Sequence, residues 1–309
     1  MEFGPYLILA SLEGAVTAAV LALTAVGLSL VFGVMRVVNV AHGEFFMLGA
    51  VLAWWVTSMT GGHAAVGFAI ALVVVPVMVG VIAAVADMTV LKRLDYDPER
   101  TIVATIGILY IIQQVTLMTY GPDARPVEPP FNTRLAIPWF EFGENGLQMY
   151  WPWGLSTTSY KLGVIGAAGV VLVGVWALMA RTKIGLLMRA TQLDREMATA
   201  FGIPVERIYA IVFGLGAGLA AMAAVLIVPI QQAHYLMGGD PLLLSFIVVI
   251  IGGLGSLPGT VLAAILIGLS DGIISVFFSP TLAKILATSL VALVLVFRPQ
   301  GLFGVAAHD

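Results

Sequence analysis

The sequence predicts an all-α polytopic membrane protein with about eight full transmembrane helices plus one short broken helix, an outside N-terminus and a cytoplasmic C-terminus. The first observation is composition: 60% of the residues are hydrophobic, only 10% are charged, and the mean hydropathy is +1.05. Such a chain has too little polar surface to cover a soluble core. The other two observations are the lengths of the apolar stretches and the placement of the basic residues. We therefore treat residues 1–309 as a single transmembrane domain.

The apolar stretches set the predicted number of spans. Crossing a hydrocarbon core of about 30 Å takes roughly 20 apolar residues in a helix. Eight stretches approach that length: 11–34, 37–58, 64–87, 101–120, 159–180, 207–231, 259–278 and 282–297. A ninth apolar stretch, 242–251, is too short for an ordinary span.

The basic residues set the predicted orientation. Ten of the fourteen Lys and Arg residues lie at Arg36, in 92–100, in 181–207 and at Arg298, whereas 59–63 and 232–241 contain none. The positive-inside rule then places the N-terminus outside and the C-terminus inside. Eight crossings would return the C-terminus to the outside, so 242–251 must cross as a short helix. The first residues, MEFGPY, lack the basic start of a cleaved signal peptide, and we expect the first span to be retained.

The glycine-rich loop GGLGSLPG at 252–259 follows the short helix. Irregular backbone at membrane depth is tolerated only where protein or a water-filled cavity surrounds it. Gly252, Gly253 and Gly255 are therefore candidates for the translocation path or its gate. The alternative is a tight turn at the inner face.

The longest loop, 121–158, is predicted to lie on the outer side. It contains six prolines and the aromatic residues Trp139, Phe140, Trp151 and Trp153, which indicate an ordered cap on the membrane surface. Loops of this length are commonly functional. The loop is either a binding surface for an extracytoplasmic partner or a cap that only rests on the membrane.

Polar residues inside apolar spans are functional candidates because they are costly in lipid. The densest group is Arg36, Asn39, His42 and Glu44, which could line a path, satisfy one another as an internal cluster, or form a proton relay. Asp271, twelve residues into its span, is the best buried-acid candidate. Thr105, Gln113 and Gln114 in the fourth span could bind a small polar ligand or bridge helices. Glu13 and Asp87 lie near span ends and are expected to reach the headgroups.

The segment 181–207 is the one long charged stretch between apolar spans. It holds five of the chain's fourteen Lys and Arg residues, and Leu193, Met197 and Phe201 recur at helical spacing among charged neighbours. The pattern predicts an amphipathic helix that ends at Phe201, because Gly202 and Pro204 follow. This helix is either a solvated connection or a docking helix for a cytoplasmic partner.

Several chemistries are excluded by missing motifs. The chain contains no cysteine, no GxxxxGK[ST] phosphate-binding loop and no HExxH zinc motif. We therefore expect no metal site, no nucleotide site and no cofactor on this chain, and no nucleic acid among its partners.

Three stretches together resemble the membrane subunits of ATP-binding-cassette (ABC) importers for branched-chain amino acids and related small solutes. These are GLSLVFGVMRVVNVAHGEFFMLGA at 27–50, MRATQLDREMATAFGIPVERI at 188–208, and VVIIGGLGSLPGTVLAAILIG through RPQGLFG at 248–304. The resemblance covers nearly the whole chain, and NxAHGE and GGLGSLPG are its most specific elements. Glu196, Ala198 and Gly202 match the E-x-A-x-x-x-G frame by which such permeases dock on their ATPases. Met197 departs from the alanine of that frame.

The resemblance implies a translocation subunit in a bacterial inner membrane that carries no enzyme activity of its own. It implies a second permease, here expected to be a homologous heterodimer partner, two cytoplasmic ATPases that hold ATP and Mg²⁺, and a periplasmic solute-binding protein. Branched-chain or other small apolar amino acids are the first substrate class, and urea or short amides the second. The residues expected to couple to the ATPases are Arg189, Leu193, Asp194, Arg195, Glu196, Met197, Ala198, Phe201 and Gly202.

Two other classes of function stay open. A stand-alone secondary carrier or channel would use Glu44 or Asp271 with an ion gradient and would transport without ATP. An intramembrane enzyme would turn over a substrate through the same acids. Co-purification of ATPase subunits separates the importer from both.

Overall fold

The computed structural model describes residues 3–143, 146–150 and 156–297. Within them lie eleven α-helices: α1 (Phe3–Met35), α2 (His42–Met59), α3 (Ala64–Thr89), α4 (Pro98–Tyr120), α5 (Ser159–Arg181), α6 (Lys183–Leu193), α7 (Arg195–Ala200), α8 (Val205–Ile227), α9 (Gly239–Gly252), α10 (Leu257–Phe277) and α11 (Pro280–Phe297). Each of the nine apolar stretches predicted from the sequence is one of these helices. A 3₁₀ turn at Leu91–Leu94 precedes α4.

Six helices are long and apolar enough to cross a membrane: α1, α3, α4, α5, α8 and α10. The helices α2 and α11 have 18 residues each, and α9 has 14. At 1.5 Å per residue, 18 residues rise only about 27 Å. The prediction of a mostly helical chain is confirmed, with six candidate membrane-spanning helices in the described residues, while the number of about eight and the orientation of the termini stay predictions.

The all-α prediction is wrong for the long loop, which contains four short strands: β1 (Arg134–Ala136), β2 (Trp139–Gly143), β3 (Gly146–Tyr150) and β4 (Ser156–Thr158). They form two antiparallel pairs, β1 with β4 and β2 with β3. The backbone of Trp139 and Phe140 begins β2. The predicted aromatic residues Trp151 and Trp153 lie outside the described residues, as do Arg298 and the RPQGLFG stretch.

The core is built around α1 and α8, which pack on each other and on their neighbours through glycines. An added Cβ at Gly27 would lie 2.5 Å from the carbonyl oxygen of Gly216, and one at Gly268 would lie 2.4 Å from the backbone of Ala18. Real side chains do not approach so closely, so these glycines let the helix backbones touch. Small-residue contacts of this kind are typical of helix packing in membranes.

Loops that the predicted topology places on the same side of the membrane lie at the same end of the bundle, so the bundle has two distinct ends. At one end, which we call the basic end, Arg36 donates to the carbonyl of Gln192 at 3.4 Å and Lys92 pairs with Glu206 at 2.7 Å. At the other, which we call the aromatic end, the Arg125 guanidinium lies 4.3 Å from the ring centre of Trp54. Arg125 also pairs with the backbone of Ala233, which ties the start of the long loop to the segment before α9.

Candidate functional site

The segment 181–207 folds as two helices and not as the single helix that the sequence predicted. The hydroxyl of Thr182 accepts from the Gly185 N–H at 3.1 Å and begins α6. Asp194 adopts an extended backbone, and its carboxylate accepts from the Met197 N–H at 3.0 Å. Aspartate is a strong N-cap because its side chain satisfies a free N–H of the first turn. The chain therefore breaks at Asp194 and starts the short helix α7.

The end of α7 explains why glycine stands at position 202. Gly202 has a φ of +79°, its N–H donates to the carbonyl of Thr199 at 2.9 Å, and the N–H of Ile203 donates to the carbonyl of Ala198 at 3.0 Å. This pair of bonds is a Schellman motif, in which the left-handed residue is usually glycine. The last helical residue is Ala200 and Phe201 is the cap, so the predicted end at Phe201 is confirmed to within one residue.

Three apolar side chains on this element project away from the protein. Leu193 is 81% exposed, Met197 53% and Phe201 79%, whereas Ala198 between them is buried. Arg189 and Glu196 are exposed as well. The arrangement presents large apolar groups on a firmly capped short helix at the basic end. A surface of this kind suits burial against a partner, since exposed large apolar groups grouped together mark interaction sites.

Arg195 connects α7 to the bundle through two tyrosines. Its guanidinium lies 5.6 Å from the ring centres of both Tyr96 and Tyr209, which pack edge to face at 4.6 Å. The Tyr96 hydroxyl donates to the buried carboxylate of Asp87 at 3.4 Å, and burial raises the pKa of this phenol. The four residues join α7, α8, α3 and the turn before α4.

Asp87 corrects a prediction. We expected it to reach the headgroups, but its side chain is fully buried. The turn after α3 folds back, with Asp95 and Tyr96 both in left-handed conformations, so that the Tyr96 ring covers the carboxylate. The position of Asp87 near a span end does not predict that Tyr96 buries it, because this burial depends on the fold of the following loop.

The loop between α9 and α10 meets α1 and α6 at the basic end. Gly253 and Gly255 have φ values of +95° and +80°, and an added Cβ at Gly255 would lie 3.0 Å from the Cα of Gly33 and 3.3 Å from the Nε2 of Gln192. A cavity of 350 Å³ lies beside this contact and is lined in part by Arg189, Gln192 and Ser256. Gly252 is packed against the first turn of α10. The end of α6 therefore lies beside the loop that joins α9 to α10.

The polar group at the start of α2 is buried inside the bundle. Asn39 and His42 have no exposed surface and Glu44 is 4% exposed. A ring nitrogen of His42, Nε2, lies 2.9 Å from the carbonyl oxygen of Thr24 in α1, and the Thr105 hydroxyl accepts from the Val40 N–H at 3.3 Å. These contacts tie the start of α2 to α1 and α4. Among the described residues, however, the Asn39 amide, His42 Nδ1 and Glu44 Oε2 have no hydrogen-bond partner, so the three side chains do not satisfy one another and the three alternatives stay open.

The remaining candidate path residues do not come together. Gln113 is half-buried and Gln114 exposed on α4, away from the other candidates. Asp271 is only half-buried, six residues before the end of α10, and so is less enclosed than Asp87 or Glu44. It lines a cavity of 330 Å³ at the aromatic end, together with Asp240 and Lys284.

Several structurally important residues were not singled out from the sequence. Gln192, Tyr96 and Tyr209 act through contacts between distant segments, and no local pattern reveals them. Asp240 and Lys284 form an ion pair of 2.6 Å across 44 residues. A signal for this pair does exist, since each is an isolated charge of opposite sign beside an apolar stretch at the same predicted end.

The chain matches the family model described as "Branched-chain amino acid transport system / permease component" over residues 10–296. It is 27% identical to the high-affinity branched-chain amino acid transport system permease protein BraD of Pseudomonas aeruginosa, over 92% of this chain and 91% of the relative. It is 24% identical to the corresponding permease protein LivH of Escherichia coli K12, over 92% and 91%. No solved structure matches the chain.

Proposed function

The chain belongs to the family of branched-chain amino acid transport system permease components, and from this premise we propose that it moves branched-chain or other small apolar amino acids into the cytoplasm as the translocation subunit of an ABC importer. It is a permease subunit and not an enzyme, since the relatives it resembles are permeases. ATP hydrolysis belongs to separate ATPase subunits.

The observation that carries this proposal is the surface of α6 and α7. Leu193 at the end of α6, Met197 on α7 and Phe201 at its C-cap expose apolar side chains at the basic end. The helix α7 is held by an N-cap at Asp194 and a Schellman motif at Gly202. We propose that these three side chains pack into a groove of an ATPase subunit, with Arg189 and Glu196 at the polar rim. Burying each is worth roughly 1.5–3 kcal/mol.

The finer topology belongs to the same proposal. The helices α1, α2, α3, α4, α5, α8, α9, α10 and α11 would then cross the inner membrane nine times, with the basic end in the cytoplasm. The placement of Arg36, Lys92 and the 181–207 segment at one end of the bundle supports this orientation through the positive-inside rule. The strands of the 121–158 loop would face the periplasmic binding protein, and a homologous second permease would complete the pair.

Met197→Asp tests the coupling surface. In the importer assembled with its ATPases and binding protein, we expect this variant to lose binding-protein-stimulated ATP hydrolysis and leucine uptake, because a charge cannot enter an apolar groove. Loss of one buried side chain alone weakens association by tenfold or more, at about 1.4 kcal/mol per factor of ten. ATPase rate, uptake and co-purified ATPase are measured together.

The matched control is Val90→Asp, which introduces the same charge on a half-exposed apolar residue at the same end but outside α6 and α7. Gly202→Pro is a second variant, since proline cannot adopt the φ of +79°. Coupled ATP hydrolysis at the normal rate in both Met197→Asp and Gly202→Pro would refute the proposal. Uptake by the purified chain alone without ATP would favour a secondary carrier.

Urea or a short amide is the second candidate substrate, because the sequence of the last helix also resembles that of urea and short-amide permeases. Competition for uptake by unlabelled leucine, valine, urea and acetamide distinguishes the two classes.

A further inference from the structure

A cavity of 330 Å³ opens at the aromatic end between α1, α8, α9, α10 and the first turns of α11. Its volume lies at the small end of the range for small-molecule sites. Its mouth is marked by exposed residues: Leu236 is 53% exposed, and the side chains of Asp240 and Lys284 are 68% and 48% exposed. The coupling surface lies at the opposite end of the molecule, so this cavity has a separate role.

One side of the cavity is charged with both signs. Lys284 pairs with Asp240 at 2.6 Å, and Asp271 lines the same space. One lysine thus faces two carboxylates, and the pair at the mouth is exposed to solvent. Exposed ion pairs are held weakly, so Lys284 can exchange Asp240 for another carboxylate at little cost.

The other side of the cavity is apolar. It is formed by Val20 and Leu21 of α1, Phe46 of α2, Ile227 of α8 and Leu244 of α9. A hydrophobic wall with a few convergent polar groups is the usual composition of a small-molecule site, in which the apolar wall supplies affinity and the polar groups fix orientation.

We infer that this cavity is a binding site for a zwitterionic apolar amino acid, with the ammonium group on Asp271, the carboxylate on Lys284 and the side chain against the Val20, Phe46 and Leu244 wall. This inference rests on the proposed function and names where its substrate class is held. Two opposite charges beside an apolar wall match an apolar α-amino acid, whereas urea or an acetamide offers neither charge.

The absence of cysteine from the sequence allows a direct test. Leu236→Cys places one thiol at the mouth of the cavity, and Leu135→Cys places one on β1 at the same end, outside the cavity. The assembled importer is reconstituted in liposomes without binding protein, and its labelling by a membrane-impermeant methanethiosulfonate is followed. The probes are leucine, leucinamide without the carboxylate, 4-methylpentanoate without the ammonium, and urea.

We expect leucine to slow labelling at Leu236→Cys and the other three compounds to leave it unchanged. When the leucine concentration is ten times the dissociation constant, the site is free about a tenth of the time, so labelling slows roughly tenfold. Asp271→Asn and Lys284→Met are each expected to abolish protection, while labelling at Leu135→Cys stays independent of leucine and of both substitutions. Co-purification of each variant with its ATPase subunits shows that the variants are folded.

The outcomes separate the inference from the proposed function. If the importer takes up leucine but leucine does not protect Leu236→Cys, or still protects it in both folded variants, the inference is refuted and the proposed function stands. Equal protection by leucinamide refutes the assignment of Lys284. If the importer takes up no amino acid, the proposed function fails and the inference fails with it.

Discussion

Single residues at the end of α7 decide how the proposed coupling surface is presented. Ala198 is small enough to be buried against the bundle, and Gly202 supplies the left-handed turn that closes the helix. The spacing of Glu196, Ala198 and Gly202 therefore has a physical meaning: an exposed acid and a packed small residue lie within the six-residue helix, and a left-handed glycine follows its cap. Met197, where the family frame has alanine, is 53% exposed, so the position has room for a large side chain.

Gly202→Ala is expected to weaken the coupling surface through backbone strain alone. No atom lies within 4 Å of an added Cβ at this position, so the methyl group causes no clash. The left-handed conformation costs a non-glycine residue about 1–2 kcal/mol. We expect the end of α7 to fray and ATPase association to fall, as measured by titrating ATPase subunits onto the purified permease.

Gly202→Asn is the matched variant, since asparagine tolerates the left-handed region better than alanine. It should bind the ATPase more tightly than Gly202→Ala. An asparagine variant that binds no better than the alanine variant would show that something other than φ governs this position.

At the scale of elements, α7 is joined to three other parts of the chain by a cluster of Asp87, Tyr96, Arg195 and Tyr209. The guanidinium over two aromatic rings holds α7 against α8, and the Tyr96 hydroxyl holds the turn before α4 against α3. A force on α7 can therefore reach α3 and α8 together. Gln192 gives α6 a similar position beside α1 and the loop after α9: its carbonyl accepts from Arg36, and it lines one cavity with Gly33 and Gly255.

Tyr96→Phe should destabilise the bundle near α3. The substitution keeps the ring contacts with Arg195 and Tyr209 but removes the donor to the buried Asp87 carboxylate. A buried acceptor without its partner costs about 1–3 kcal/mol. Thermal unfolding of the permease in detergent should show a lower midpoint.

Tyr110→Phe on α4 serves as the control, because Tyr110 is 64% exposed and the same atom is removed there. Equal midpoints for the two variants would mean that the 3.4 Å hydrogen bond adds nothing to stability.

At the scale of the whole molecule, the bundle depends on close backbone contacts between α1 and its neighbours. Gly27 on α1 and Gly216 on α8 lie so near that neither can carry a side chain without a shift. Helix pairs in a membrane gain little from the hydrophobic effect, so packing at such contacts carries much of their stability.

Gly27→Ala is therefore expected to destabilise the fold. The added methyl group would lie 2.5 Å from the Gly216 carbonyl oxygen, and overpacking of this kind costs about 1–3 kcal/mol. Gly107→Ala on α4 makes the same change where no atom lies within 4 Å. It should be neutral or stabilising by up to about 1 kcal/mol, because alanine is the better helix former. Denaturation of both variants in detergent measures the difference, and a loss of stability equal in the two would contradict this account.

The apolar stretches by themselves determined where the long helices lie, since a helix that crosses the hydrocarbon core needs about 20 consecutive apolar residues. Each of the nine predicted stretches is a helix, and the family follows from local motifs such as NxAHGE and GGLGSLPG. The end of the amphipathic element was also readable, because Gly202 and Pro204 are local signals. These features depend on neighbouring residues alone.

The tertiary structure decided what depends on residues far apart in the chain. Two or more helices must be in place before Tyr96 can bury Asp87 and before Gln192 can lie beside Gly255. The same holds for the meeting of Asp240, Asp271 and Lys284 around one cavity. The break at Asp194 was a choice between two locally reasonable conformations, a continuous helix and an N-cap, which the packing of Ala198 and Arg195 on α8 favours. Local sequence carries no information about such long-range contacts. The packing of the helices places the side chains that meet at the proposed coupling surface and at the cavity.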